Sequence, residues 1–268
     1  MSARTQPMLR IEDLSLHFGG VVAVKDVGFE VEKGEVFTLI GPNGAGKTTI
    51  FNMISRIYRP SQGRIFMEER EITAMPAHAV AGLGIARTFQ NIELFEHATV
   101  LQNLLIGAHC RSRSNLFHDM FFTPRARANE HEIRRRAEDV IDLLDIAHYR
   151  DMRVAGLAYG IRKVVEMARA LCARPKLLLL DEPSSGLNPE ETDDMAWWIK
   201  DIQRELGITV LMVEHDMSLV SRVSDRVLAL NQGAMLSLGT AAEVQDDPAV
   251  IEAYLGTADD VSSLRRSG

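Results

Sequence analysis

Two cysteines in 268 residues, Cys110 and Cys172, far apart and without metal-ligand spacing, give no material for a disulfide framework or a zinc site. No apolar run approaches the roughly 20 residues that a membrane-spanning helix needs. The longest, such as Leu177 to Leu180, are bounded by charge. The opening segment Met1 to Gln6 is short and polar, with no apolar stretch behind it to serve as a signal sequence, so the chain is expected to stay in the cytosol. Positive charge is not in excess either. A formal net charge of −7 argues against a general nucleic-acid binder, which needs a basic face to neutralise phosphates. The cluster Arg134, Arg135, Arg136 reads as a solvated helix face. Internal repeats and low-complexity linkers are lacking too. What is present, 46% hydrophobic and 25% charged residues, is the composition of an ordinary globular chain with a real core.

The patterning divides the chain in three. Residues 8 to 40 read as strands, with Leu9, Ile11, Leu14, Leu16 and Phe18 in alternation, then a segment at Val31, then the buried run Val36 to Ile40. A glycine-rich turn follows, and Ile50, Phe51, Ile54 and Ile57 recur at helix spacing. From Asn91 to Val165 apolar residues keep helical spacing among charges, as in Val100, Leu101, Leu104, Leu105 and Val140, Ile141, Leu144. Strands return at Leu177 to Leu180, Ile208 to Val213 and Val227 to Leu230, with a helix through Trp197, Trp198 and Ile202 between them. The predicted fold class is therefore α/β, with a helical stretch inserted. Short helices are predicted over Ala241 to Leu255, and a polar tail after residue 256.

Gly41-Pro42-Asn43-Gly44-Ala45-Gly46-Lys47-Thr48-Thr49 fits G-x-x-x-x-G-K-[ST] between a buried strand and a helix, the context of a P-loop. Glycines let backbone N–H groups turn inward around phosphates, and the following helix points its positive end at them. Lys47 is expected to reach the β- and γ-phosphates of ATP, with the Thr48 hydroxyl on Mg²⁺. The run Leu177 to Leu180 then delivers Asp181 and Glu182 to the carboxyl end of a strand buried on both faces, where parallel sheets open their ligand crevice. Asp181 is placed to hold Mg²⁺ through water, and Glu182 to act as general base on the attacking water.

The segments around these two motifs are similar to those of the ABC ATPases. Leu157-Ala158-Tyr159-Gly160-Ile161 resembles the signature sequence, Gln90 in Arg87-Thr88-Phe89-Gln90-Asn91 the Q-loop, Ser184 to Asn188 the D-loop, and His215 in Val213-Glu214-His215-Asp216 the switch histidine. Singly, Gln90 reads as a surface amide and His215 as a helix-start residue. Their joint order around a P-loop and an acid pair favours the functional reading. The resemblance covers residues 8 to 256 and is nearest to the ATPase subunit of branched-chain (hydrophobic) amino acid importers, on Phe18 to Val24, Arg87 to Gln90, Leu157 to Gly160 and Ala253-Tyr254-Leu255-Gly256.

The resemblance implies a P-loop ABC ATPase fold with an antiparallel β region. It divides into a nucleotide-binding core (8–90 and 166–256), a helical signature subdomain (91–165) and a C-terminal tail (257–268). It implies Phe18 stacking on adenine, Val24 packing on the nucleotide or in the core, Asn43, Gly44, Ala45, Gly46, Lys47, Thr48 and Thr49 around phosphate and Mg²⁺, and Gln90 on the metal or the water. His215 would contact the γ-phosphate, while Ala158, Tyr159 and Gly160 face the nucleotide of a second ATPase subunit, a copy or a paralogue. Transmembrane permease subunits, and indirectly a solute-binding protein, would complete an importer, with the chain on the cytoplasmic face of the membrane. The rivals are a lipopolysaccharide-type exporter ATPase and a soluble cluster-assembly ATPase. Ala158 stands where the family's signature carries Ser, Tyr159 where it carries Gly and Asn188 where the D-loop carries Asp, and these changes are familiar in the branched-chain group. Ile161 replaces a polar residue, usually Gln.

Overall fold

The structure is a computed structural model that describes residues 6–90, 92–109 and 124–255. Asn91, Cys110, Gly256 and the tail 257–268 lie outside the described residues. Strands β1 (Leu9–Phe18) and β2 (Val21–Val31) pair antiparallel, and β1 also pairs with β4 (Gln62–Met67), which carries the short β5 (Arg70–Glu71). This four-stranded sheet is the antiparallel region. A second sheet has the order β10 (Ala234–Gly239), β9 (Arg226–Asn231), β3 (Val36–Ile40), β8 (Thr209–Val213), β7 (Leu177–Asp181), β6 (Ile85–Arg87), parallel except for β10.

The central strands are buried on both faces, as their unbroken apolar runs require. Leu178 and Leu180 join one core with Val36, Val210 and Met212, while Leu177 and Leu179 join another with Phe37, Leu39 and Leu211. The second core is closed by β1, β2 and the helix α1 (Lys47–Ile54). The short helix α2 (Ala77–Leu83) precedes β6.

Between β6 and β7 the chain leaves the sheet as α3 (Val100–His109), α4 (Pro124–Leu143) and α5 (Tyr159–Cys172). These helices bury Val100, Leu104, Ile133, Ala137, Ile141, Val164 and Leu171 in the first core. Cys172 belongs to that core, where burial pushes its thiol up to about 12. In that arginine cluster on α4, Arg134 and Arg135 are exposed as expected, whereas Arg136 is half-buried; Arg135 and Arg136 both pair with Glu132. The chain closes with α6 (Pro189–Leu206), α7 (Met217–Val223), α8 (Ala241–Gln245) and α9 (Pro248–Leu255).

The glycine-rich turn after β3 sits where the two sheets meet. Lys25 N–H donates to the Gly233 carbonyl (2.8 Å) and Gly233 N–H to the Ala45 carbonyl (3.1 Å). A Cβ added at Gly46 or at Gly233 would stand 2.7 Å from the Ala23 carbonyl oxygen, so neither position admits a side chain.

Candidate functional site

The loop between β3 and α1 owes its shape to Gly41, Gly44 and Gly46, at φ of +146°, +81° and +98°. At Gly41 a Cβ would also lie 2.2 Å from the Leu230 carbonyl oxygen. Helix α1 begins at Lys47 with no side-chain cap and no acidic residue in its first turn, so its leading N–H groups and positive dipole end are left for an anion. Asn43, Gly44 and Thr48 are exposed, Thr49 half-buried and Ala45 buried. The buried Lys47 turns its Nζ back to donate to the carbonyls of Gly41 (2.5 Å) and Pro42 (3.1 Å). Burial lowers its pKa, and the charges of Glu182 and Asp181 oppose that.

Asp181 ends β7 with its carboxylate buried, which raises its pKa, against the Arg87 guanidinium that holds its Oδ2 at 2.7 Å. Arg87 also donates to Asn52 Oδ1 (2.7 Å) on α1 and to Ser55 Oγ (3.0 Å) at its C-cap, tying the P-loop helix to the acid. Glu182 follows in a left-handed backbone (φ +50°), and its Oε2 accepts from Gln90 Nε2 at 2.9 Å. The structure thus brings together Gln90 and Glu182, 92 residues apart in sequence.

Helix α5 reaches this end of the sheet with buried polar side chains. Lys163 Nζ donates to the Glu182 carbonyl (2.7 Å), and Glu166 Oε1 accepts from Phe89 N–H (3.1 Å) beside Gln90. Burial raises the Glu166 pKa. Glu214, fully buried, accepts from Ser184 N–H (2.8 Å) and from the N–H groups of His215 (2.8 Å) and Asp216 (3.2 Å), so one carboxylate fixes the D-loop start and the His215 turn. The His215 side chain is itself exposed. Arg87, Lys163, Glu166 and Glu214 are residues the sequence did not single out for a role, although Arg87 and Glu214 lie inside phrases quoted above.

The signature segment opens α5 with Ala158 as an uncapped N-cap and Tyr159 exposed, while Leu157 is buried. Gly160 is covered within its own chain: a Cβ there would meet Glu191 Oε1 at 2.4 Å. Glu191 in turn completes a capping box with Asn188, which explains Asn188 locally as the N-cap of α6. The Tyr159 ring lies over Gly186, where a Cβ would come within 2.8 Å of it. Ile161 is half-buried against the first core, which is the physical reason for an apolar residue there. At the other sheet, Phe18 is 48% exposed and meets Tyr58 edge-on at 5.2 Å. Val24 is fully buried and faces Gly46, under the P-loop.

A model of the ABC transporter family matches residues 24–185. One described as a branched-chain amino acid ATP-binding cassette transporter matches residues 235–260. The high-affinity branched-chain amino acid transport ATP-binding protein BraF of Pseudomonas aeruginosa is 41% identical over 254 residues, 95% of this chain and 100% of that protein. LivG of Escherichia coli K12, described in the same words, is 38% identical over 95% of this chain and 100% of its own. Among solved structures, the ADP conformation of an ATP-binding cassette of an ABC transporter superposes with a TM-score of 0.83 at 32% identity, covering 94% of this chain and 100% of that one. A nucleotide-free cassette gives 0.81 at 31%, covering 92% and 98%. Sequence and backbone agree along nearly the whole chain, which belongs to the ATP-binding subunits of ABC transporters, in the branched-chain amino acid group.

Proposed function

We propose that this ATPase drives a membrane importer for branched-chain amino acids or similar small solutes, from the cytoplasmic face. The observation that carries the chemistry is the Gln90–Glu182 hydrogen bond at the open end of β7, next to Lys47 and Asp181. The residues fit magnesium-ATP: an uncapped helix start carries a buried lysine whose ammonium feels the charges of the buried Asp181 and of Glu182. When bound, magnesium-ATP supplies the phosphoanhydride that water cleaves. Lys47 and the amides from Asn43 to Thr49 bind the phosphates. Thr48, Asp181 and Gln90 would hold the metal and its water, with Arg87 keeping the Asp181 carboxylate oriented. Glu182 takes the proton of the attacking water on its carboxylate, and His215 supports the γ-phosphate.

In this reading residues 8–90 and 166–256 form the nucleotide-binding core and 91–165 the helical subdomain, and Ala158, Tyr159 and Gly160 face the nucleotide of a second ATPase subunit. A groove of about 410 Å³ between α2, α3 and α5, lined by Ala77, Val80, Ala81, Ile106 and Phe89, is the place offered to the permease. A solute-binding protein outside the membrane would select the cargo. Among the described residues no helix is long and apolar enough to cross a membrane, so the membrane path is assigned to the permease. The exporter and cluster-assembly alternatives are not favoured, because relatives matching 95% of the chain carry branched-chain amino acid transport names.

Uptake of radiolabelled leucine into vesicles that enclose ATP tests the reading, with the chain and permease reconstituted so that the chain faces the interior and the solute-binding protein supplied outside. Uptake that requires the chain and vanishes with Lys47→Ala supports it. Leucine uptake that does not depend on the chain would remove the cargo assignment. For Phe18, substitution by Ala is expected to weaken ATP binding by about 1 kcal/mol, the scale of an aromatic contact, while Trp preserves it. Calorimetry with an unchanged affinity for Phe18→Ala would reduce Phe18 to the packing partner of Tyr58.

A further inference from the structure

We infer that Lys163 is a positioning residue for hydrolysis: its ammonium holds the Glu182 backbone in the conformation that aims the general base. The inference rests on the assignment of Glu182 as that base. Glu182 is a non-glycine residue at φ +50°, a region that L side chains avoid and that persists only where surroundings impose it. Its N–H donates to the Val213 carbonyl (2.9 Å) on the neighbouring strand. Its carbonyl accepts from Lys163 Nζ (2.7 Å) and from Ser185 N–H (3.2 Å). The Lys163 contact is the restraint on that carbonyl that arrives from outside the strand-end turn.

Burying an ammonium on a helix that otherwise packs Val164, Val165, Met167 and Ala168 into the core is costly, and an apolar side chain of the same length would avoid the cost. Lys163 is 6% exposed. Its charge is surrounded by Glu214, Glu166, Glu182 and Asp181, which oppose the lowering of its pKa by burial. The same ammonium lies 5.8 Å from the centroid of the Tyr159 ring, at the exposed start of α5. One side chain therefore connects the signature segment to the backbone of the base.

The test measures kcat and KM for magnesium-ATP in the full-length chain carrying Lys163→Met, Lys163→Arg or Glu182→Gln, and the Met and Gln changes combined. Lys163→Met is expected to lower kcat by about 10- to 100-fold, the scale of a misaimed catalytic group, with KM within about twofold of wild type. Lys163→Arg should recover most of that loss, and Lys163→Met should cost nothing further on top of Glu182→Gln. An unchanged kcat, a loss carried in KM, or a loss that multiplies with that of Glu182→Gln overturns the inference. If the Met variant does not fold, Lys163→Leu, which likewise has no donor, takes its place under the same criteria. Near-normal turnover by Glu182→Gln overturns the base assignment itself, whereas an inactive Glu182→Gln beside a normal Lys163→Met overturns Lys163 alone.

Discussion

Glu182→Gln should lower ATP turnover by about 10²- to 10⁴-fold, the usual contribution of a general base, while ATP affinity stays close to wild type. The substitution is nearly isosteric, and the side-chain carbonyl of Gln can still accept from Gln90 Nε2, which sits 2.9 Å from Glu182 Oε2 in the native site. What disappears is the basic oxygen, not the geometry. Folding should not suffer, since the Glu182 charge disfavours ionisation of its neighbour Asp181. Phosphate release and calorimetric ATP binding, run on the same preparation, separate the two effects. Turnover within about twofold of wild type would assign the proton to another group.

The second large effect concerns pairs of chains. Lys47→Ala removes the buried ammonium from the P-loop and should weaken ATP binding by about 10- to 100-fold, the scale of a charge-assisted hydrogen bond. Gly160→Asp places a carboxylate at the start of α5, where a second chain's γ-phosphate is proposed to sit. A dimer with one lesion per chain then gathers both defects in one shared site and leaves the other whole. A dimer of wild type with a doubly altered chain has one lesion in each site. Differentially tagged dimers should therefore rank the first above the second in ATPase activity, and the reverse ranking would mean that each chain builds its own site. The structure adds a needed control. Any side chain at Gly160 first meets Glu191 of its own chain and disturbs the α6 capping box, a loss of about 1 kcal/mol. Glu191→Ala in place of Gly160→Asp should leave the two dimers equally active.

The parts of the fold that the sequence made legible are those with strong local signals: the P-loop between β3 and α1, the leucine run of β7, and α6 with its apolar stripe. Strands β4 and β10 were not expected, for they are short, lie toward sheet edges and are only partly buried, so neither alternation nor an unbroken apolar run marks them. Within the site, Asp181 and Glu182 were legible at the end of a buried leucine run, whereas Gln90 and His215 were singled out only through the resemblance; the structure sets Gln90 against Glu182 and leaves the His215 side chain exposed. Lys163 and Glu166 were not legible, because a lysine and a glutamate three apart on a helix look like any solvated face. Tertiary contact alone sets them against Glu182 and Phe89, 19 and 77 residues away in the chain. Arg87 likewise has its meaning only through Asp181, 94 residues later.

The seating of the P-loop at the junction of the two sheets bears on how the protein is made. The Ala45 carbonyl of the loop accepts from Gly233 N–H, and the Gly233 carbonyl from Lys25 N–H, so Lys25, Ala45 and Gly233 must all be present before the loop is seated. The first two leave the ribosome early, and Gly233 follows after most of the chain. Closing contacts over such separations costs chain entropy, so the phosphate cradle is expected to gain its full set of backbone restraints only after Gly233 has been made. Nucleotide is thus expected to meet a fully restrained cradle only on a nearly finished chain.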